Sequence, residues 1–372
     1  MSLDARIVVT ARGVDAHIEV PSVRTVALVG PNGSGKSTVV EALAGIVATD
    51  GGHVSVDDAA RTRTPHSRTP RVGIVPQDGA LFAHMSVLDN VAFGLRAQGV
   101  RRAAARRTAQ EVLARVDAAD LAQRRPAQLS GGQARRVAIA RAVATEPDVL
   151  LFDEPFAGLD TEVATQIRGL LASLRGSATI VLTTHDAVDA FLLADAVAVL
   201  DAGHVVESGV PEQVFLTPRT AFTAAMAGRV LMTGVMDGGQ VLTPAGERIP
   251  VAAGPADGTA AAVAIRPADI AIRPADIAAQ PHISERTGER SGERASARTG
   301  KQTGEHTGVR ETTPGAYLWL ERTVSAIEPR ADAVRVFGGA LCADVDPSLA
   351  PNLAVGTPVV FGVPHGQEAY AI

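Results

Sequence analysis

The chain has 372 residues, room for two or three domains, and its 46% hydrophobic and 20% charged residues are the balance of a globular protein. Its 35 basic and 40 acidic residues leave a formal net charge of −5, which argues against a nucleic-acid partner held by phosphate neutralisation. The single cysteine, Cys342, excludes an internal disulfide framework and a cysteine-based zinc centre, and reads as a small buried residue in a reducing, cytoplasmic setting. No apolar run is long enough to span a bilayer, and the N-terminal MSLDARIVVTAR lacks the apolar block of a signal peptide. Aromatics are only 3%, and every basic residue except Lys36 and Lys301 is arginine.

From residue 1 to about 228 the pattern is α/β. Short apolar runs at 25–29, 149–152, 179–183 and 196–200 read as strands buried on both faces of a mainly parallel sheet. Between about 85 and 145 strand signals stop, and an Ala-, Arg- and Leu-rich stretch reads as a helical insert. The arginines at 101, 102, 106 and 107 there read as a solvated face. From 229 to 372 Gly, Pro, Val and short turns predict a small all-β domain. An identical heptapeptide, AIRPADI, stands at 264–270 and again at 271–277. Its odd length would turn consecutive copies to opposite faces of one strand, which predicts that one copy is looped out. The run from about 280 to 314, rich in Gly, Thr, Glu and Arg, buries too little apolar area to order itself and is expected to be a disordered linker.

Two segments carry chemistry. Gly30-Pro31-Asn32-Gly33-Ser34-Gly35-Lys36-Ser37-Thr38 fits G-x-x-x-x-G-K-[ST], with an apolar strand before it and a helical pattern after it. Glycines let backbone N–H groups converge on phosphate oxygens, and the helix start adds its positive end. Lys36 is placed for the β- and γ-phosphates, and Ser37 offers a hydroxyl to Mg²⁺. Val149–Phe152 then ends in Asp153, a candidate metal carboxylate, and Glu154, placed to polarise a water.

Between these segments lies Leu129-Ser130-Gly131-Gly132-Gln133, and here the chain resembles the ATP-binding-cassette (ABC) family, whose signature is LSGGQ. Gln77 in VGIVPQDGALF is similar to the family's Q-loop glutamine, Ala157-Gly158-Leu159-Asp160 to its D-loop and His185 in VLTTHDAVDAF to its switch histidine. The resemblance implies a P-loop NTPase cassette with a helical subdomain, using ATP and Mg²⁺. It implies that two copies sandwich two ATPs head-to-tail. Gly30 to Thr38 and Asp153 of one subunit would then face Ser130, Gly131, Gly132 and Gln133 of the other, with Asp160 at the seam. Glu154 would be the general base, His185 a γ-phosphate contact, and Gln77 a metal and water contact beside Ser37 and Asp153.

A single cassette followed by a β domain resembles the ATPase subunits of bacterial importers, whose C-terminal module is an OB-like barrel. The stretch THDAVDAFLLADAVAVLDAGHVVESG and the closing VGTPVVFGV most resemble the molybdate class, with sulfate, ferric iron and polyamine importers as alternatives and a soluble ABC clamp protein as a further one. The resemblance implies a peripheral protein on the cytoplasmic face, partnered by membrane permease subunits and indirectly by a substrate-binding protein, without nucleic acid. The apolar stretch from Leu81 to Phe93 would dock the permease, or be buried in the cassette itself. Two departures stand out. No aromatic residue precedes Phe82, so the family's adenine platform is missing and Arg12 or His17 is left to stack. Position 135 is Arg where relatives have Gln, and is expected on an exposed helix face.

Overall fold

The computed structural model describes residues 2–20, 24–57, 71–274, 317–331, 333–347 and 353–372; the stretch expected to be a linker lies outside them. The chain forms two compact units, Met1–Ala227 and Gly228–Ile372.

In the first unit β1 (Ser2–Val9) and β2 (Val14–Val20) form an antiparallel hairpin. Alternate residues Leu3, Ala5 and Ile7, and Val14, Ala16 and Ile18, are buried, the period-two pattern of a sheet with one wet face. β3 (Thr25–Val29) is buried at every position and feeds α1 (Lys36–Leu43). β4 (Gly51–Asp57) returns to pair with β1. There follow β5 (Val72–Val75), α2 (Val87–Ala97), α3 (Arg102–Arg115) and α4 (Gly131–Val143). After these come β6 (Val149–Phe152), α5 (Thr161–Leu174), β7 (Thr179–Thr183) and α6 (Ala187–Leu193). The unit closes with β8 (Ala196–Asp201), β9 (His204–Gly209), α7 (Pro211–Leu216) and α8 (Ala221–Met226).

The main sheet has the order β5-β6-β7-β3-β8-β9 and is parallel except for β9. Val75 pairs with Phe152, Phe152 with Leu182, and Leu28 with Thr183, so the carboxyl ends of β5, β6, β7 and β3 finish level. In open α/β sheets that edge is where ligands bind.

The helices α2, α3 and α4 share a core of their own around Val91, Leu113, Leu121 and Val137. α4 belongs to two cores. Val137 and Ala140 face α2 and α3, whereas Ala138, Ile139 and Ala142 pack with Phe152 and Leu182 of the main sheet. The loop before α2 is organised by Asn90, which is fully buried. Its amide accepts from the Phe82 N–H at 2.8 Å and donates to the carbonyls of Phe82 and Ser86 at 3.1 and 3.0 Å.

The second unit is all-β among the described residues, consistent with an OB-like barrel. Val230–Asp237 pairs with Gln240–Leu242 and Ala260–Ile265, and Pro358–Pro364 runs between Ala271–Pro274 and Tyr317–Thr323. Val334–Gly338 lies between Ala326–Pro329 and Leu341–Val345. One core unites them through Val241, Val263, Val336 and Phe361. Cys342 is buried in that core, which pushes its thiol pKa up.

The repeat departs from the expected looped-out copy. The first AIRPADI ends one strand and turns at Pro267–Asp269; of the second, the four described residues form the next strand, Ala271–Pro274, on Pro358–Pro364, and 275–277 lie outside the described residues. That short turn, which lies inside the first copy and is braced by the Arg266–Asp269 ion pair at 2.9 Å, stands between the two strands, so they are free of one another's facing.

Phe361 is fully buried at the centre of this core. Phe361→Ala is expected to destabilise the β unit by about 3–5 kcal/mol, read as a lowered urea midpoint.

Candidate active site

Gly30–Thr38 forms the turn from β3 into α1. Its shape requires glycine. A Cβ on Gly30 would lie 2.2 Å from the Leu200 carbonyl oxygen, and Gly35 is left-handed (φ 104°) with Val14 Cγ2 2.8 Å from where a Cβ would be. Lys36 is buried, and its Nζ donates to the carbonyls of Gly30 at 2.8 Å and Pro31 at 3.0 Å. Burial lowers the ammonium's pKa, opposed by the nearby charges of Glu154 and Asp153. Ser34 Oγ is buried with no hydrogen-bond partner, whereas Asn32, Gly33 and Ser37 are exposed.

Asp153 and Glu154 leave the end of β6. Ser37 Oγ donates to Asp153 Oδ1 at 3.3 Å. Thr183, at the end of β7, donates to the same oxygen at 2.8 Å and accepts the Glu154 N–H at 2.7 Å, so one buried hydroxyl fixes both acidic residues. Glu154 is left-handed at φ 44°, unusual for a non-glycine residue and a form of strain that collects at functional sites. Gln77, two residues past the end of β5, donates from Nε2 to Glu154 Oε2 at 3.2 Å. The level strand ends therefore gather Gln77, Asp153 and Glu154 with Lys36 and Ser37 from the first turn of α1.

His185 is exposed just beyond β7, beside a 580 Å³ cleft that Glu154 and Gly158 also line. Its neighbourhood is braced. Thr184 donates to Asp189 Oδ2 at 2.7 Å, Arg168 donates to Asp189 Oδ1 at 2.6 Å, and the Arg168 guanidinium stacks 5.1 Å from the Phe156 ring. The turns carrying His185 and Gly158 are thereby tied together.

Ser130 and Asp160 both cap helices. Ser130 Oγ accepts from the Gln133 N–H at 3.3 Å while Gln133 Oε1 accepts from the Ser130 N–H at 3.0 Å, a capping box at the start of α4. Asp160 Oδ1 accepts from the Val163 N–H at 2.9 Å. Gly132 packs on α5, where a Cβ would come 2.4 Å from Val163 Cγ1; Gly131 is exposed. Among the described residues, Ser130–Gln133 make no hydrogen bond to Lys36, Ser37, Asp153 or Glu154. The structure brings the P-loop, Gln77 and the acidic pair together and leaves the signature turn outside that network.

Arg135 is not on an exposed face. Only 6% of it is accessible, and its guanidinium donates to the carbonyls of Pro76 at 3.0 Å and Gln77 at 2.6 Å. Six residues on, Arg141 donates to the carbonyls of Ala80 at 2.7 Å and Gly79 at 3.1 Å. The expectation failed because α4 is packed on both sides, and the loop after β5 covers the face that would otherwise meet solvent. Burial lowers the pKa of both guanidiniums, against the charge of Asp78. Thr183 and Arg135 were the residues sequence reasoning missed. The only signal for Thr183 was its place two residues before His185.

Other expectations divide. Arg12 sits beside α1, its Nη1 2.6 Å from Glu41 Oε2 and 3.4 Å from Thr38 Oγ1, whereas His17 is engaged by Asp4 on the outer face of β1 and β2. Arg101, Arg102 and Arg107 are exposed, and Arg106 reaches Asp89 at 3.4 Å. In the 81–93 stretch Val87, Leu88, Val91 and Ala92 are buried, while Phe93 is 39% exposed against Phe82.

The site fits a nucleotide triphosphate and a hard divalent cation. The buried ammonium, the unpartnered Ser34 hydroxyl and the side-chain-free approach at Gly30 and Gly35 suit phosphate oxygens. Ser37 and Asp153 offer only oxygen donors, the set Mg²⁺ takes when it keeps several waters.

Residues 14–157 match the family model described as "ABC transporter". The chain is 45% identical to the "Molybdenum import ATP-binding protein ModC" of Mycobacterium tuberculosis over 63% of its own length and 66% of that protein's. It therefore spans just under two thirds of that relative. It is 42% identical to the "Sulfate/thiosulfate import ATP-binding protein CysA" of Xanthomonas campestris pv. campestris, covering 68% of this chain and 76% of that one. Among solved structures, the ATP-binding cassette MJ0796, a dimer in a post-hydrolysis state bound to ADP and Pi, aligns with a TM-score of 0.49 at 27% identity, over 56% of this chain and 98% of that one.

Two outcomes follow from this geometry. Arg135→Ala is expected to lower stability by about 2 kcal/mol, because it leaves two carbonyls of a packed loop unpaired, and Arg135→Gln by less; urea denaturation reads both. Glu154→Gly is expected to raise stability by up to about 1 kcal/mol, since glycine takes φ 44° without strain, whereas Glu154→Gln keeps the strain and shows no such gain.

Proposed function

The chain belongs to the ABC transporter family, and from that premise we propose that it is the ATP-hydrolysing subunit of an importer. The observation that carries this reading is the hydrogen-bonded set Ser37–Asp153–Thr183–Glu154–Gln77 beside the buried Lys36. On nucleotide binding the Lys36 ammonium exchanges the carbonyls of Gly30 and Pro31 for β- and γ-phosphate oxygens. Ser37 and Asp153 hold Mg²⁺, which neutralises charge on the phosphates when bound. Gln77 and Glu154 orient a water. Its oxygen forms the new bond to the γ-phosphorus as the bond from that phosphorus to the bridging oxygen of ADP breaks, and Glu154 accepts the water's proton. His185 steadies the γ-phosphate from the end of β7.

Ser130, Gly131, Gly132 and Gln133 then serve the nucleotide of a second copy. What supports this is that the capped start of α4 stands outside the chain's own phosphate network and yet presents helix N–H groups. Asp160 lies at the seam. The other partners are membrane permease subunits at the cytoplasmic face and, through them, a substrate-binding protein. Among the described residues no helix is long and apolar enough to cross a membrane, which fits a peripheral subunit.

The cargo read here is an oxyanion, and molybdate before sulfate, on the strength of the 45% mycobacterial relative with "Molybdenum import" in its name. The 42% relative named for sulfate and thiosulfate keeps sulfate as the second reading.

Glu154→Gln is expected to cut ATP hydrolysis by the assembled transporter at least ~100-fold while ATP binding survives; hydrolysis near the wild-type rate removes Glu154 as the base. Uptake of isotopic molybdate and sulfate in a deletion strain separates the two cargoes: molybdate accumulation restored by the wild-type chain and not by Glu154→Gln is the expected result.

A further inference from the structure

The wet face of the β2-β1-β4 sheet carries a cluster that nucleotide chemistry does not use. In register, Arg6 stands between His17 and His53, and Asp4 between Glu19 and Ser55. Arg6 does not fill the gap between the two imidazoles. It turns to Asp15, with two contacts of 3.1 Å. Asp4 takes that place. Its Oδ1 lies 2.8 Å from His17 Nε2 and its Oδ2 3.2 Å from His53 Nε2. Glu19 Oε1 lies 3.8 Å from the same His17 nitrogen.

These contacts are a hydrogen-bonded ladder, and they gather nitrogen and carboxylate donors at spacings close to those of a coordination shell. A tetrahedral Zn²⁺ with bonds of about 2.0–2.1 Å has ligand-to-ligand edges of about 3.3 Å. The three separations lie on either side of that edge, and one donor atom each from Asp4, His17 and Glu19 lies within 4.8 Å of the others, whereas His53 stands outside that trio and reaches it through the second Asp4 oxygen. Two imidazoles and two carboxylates suit a borderline ion such as Zn²⁺ rather than Mg²⁺ or Ca²⁺, which take oxygen. Three adjacent paired strands fix the backbone of all four residues, so no loop has to order on binding. The two histidine side chains are 52% exposed and that of Asp4 49%, and a 600 Å³ cleft opens beside Asp4, His17 and Glu19, so an ion has access. The His17 and His53 hydrogen bonds hold the Asp4 carboxyl below its ordinary pKa, keeping it ionised.

We propose that Asp4, His17 and Glu19 bind one divalent transition-metal ion of the zinc type, with His53 turning in from Asp4 Oδ2 as the fourth ligand. The ion replaces the hydrogen bonds from the imidazoles to Asp4, with both rings neutral, and ties β2, β1 and β4 together across their outer face. The site is separate from the Ser37–Asp153 oxygen pair and needs no nucleotide.

Co²⁺ titration of the untagged full-length chain, stripped of metal beforehand, tests the assignment by absorption. Tetrahedral Co²⁺ with nitrogen ligands gives strong visible bands and octahedral Co²⁺ only faint ones, so an ion at Ser37 and Asp153 does not imitate the signal. The expected result is strong bands that saturate at one ion per chain, are erased by Zn²⁺, and are weakened more than about tenfold in affinity by His17→Ala or His53→Ala. Asp4→Asn, which preserves shape but offers one acceptor oxygen in place of two, should weaken them alike. Absence of tetrahedral bands in the wild type, or their survival in the His17→Ala/His53→Ala double variant, overturns the proposal and leaves an ion-pair ladder.

Discussion

A buried lysine ammonium cannot stay in the protein unless oxygens surround it, and this need organises the first unit. Lys36 meets it with two carbonyls of its own loop, Gly30 and Pro31, and with the nearby charges of Asp153 and Glu154. The carbonyls can converge only because the backbone passes where side chains would collide, against Leu200 and Val14. The acidic charges can stand nearby only because β6 ends level with its neighbours. A point charge on a flexible stem suits that space, whereas the planar fork of arginine does not. In a chain whose basic residues are otherwise almost all arginine, lysine persists at this position.

The same level edge makes one hydroxyl sufficient to set the acidic pair. Thr183 reaches Asp153 with its proton and the Glu154 amide with its oxygen, from the strand next to β6. With the backbone amide of Glu154 held, the residue stays left-handed, and its carboxylate comes within reach of Gln77 from the far side of β6. Strain at Glu154 and the hydrogen bond to Thr183 are two parts of one arrangement: the second maintains the first.

The segments legible in the sequence were those whose meaning is local. The P-loop carries its glycines, its lysine and its helix start within nine residues, and Val149–Phe152 announces a buried strand by composition alone. Fully buried strands such as β3, β6 and β7 read plainly because a parallel sheet is covered on both faces. Arg135 was not legible. Helix periodicity assigns faces by assuming one wet side, and α4 has none to spare: its apolar residues divide between two cores and a loop covers part of what remains. The repeat misled for a related reason. A period-two argument holds within one strand, and the proline turn inside the first copy ends one strand before the next begins. Thr183 was hidden because its role depends on strand order, which a single strand's sequence does not contain.

The position of α4 has a mechanical consequence. Its first turn begins at Ser130, while Arg135 and Arg141 hold four carbonyls of the loop that carries Gln77. The helix is packed closely on both sides, which holds its start and its arginines in one frame. The start of α4 and the backbone of Gln77 are thus joined through buried hydrogen bonds, two residues from the strand end that sets Gln77 against Glu154. The guanidiniums suit this linkage. Each is a planar donor that spans two carbonyls at once, and burial removes the water that would otherwise compete for them. A glutamine at position 135 would offer a single amide donor group on a shorter arm, so arginine makes the stiffer connection between α4 and the loop that carries Gln77.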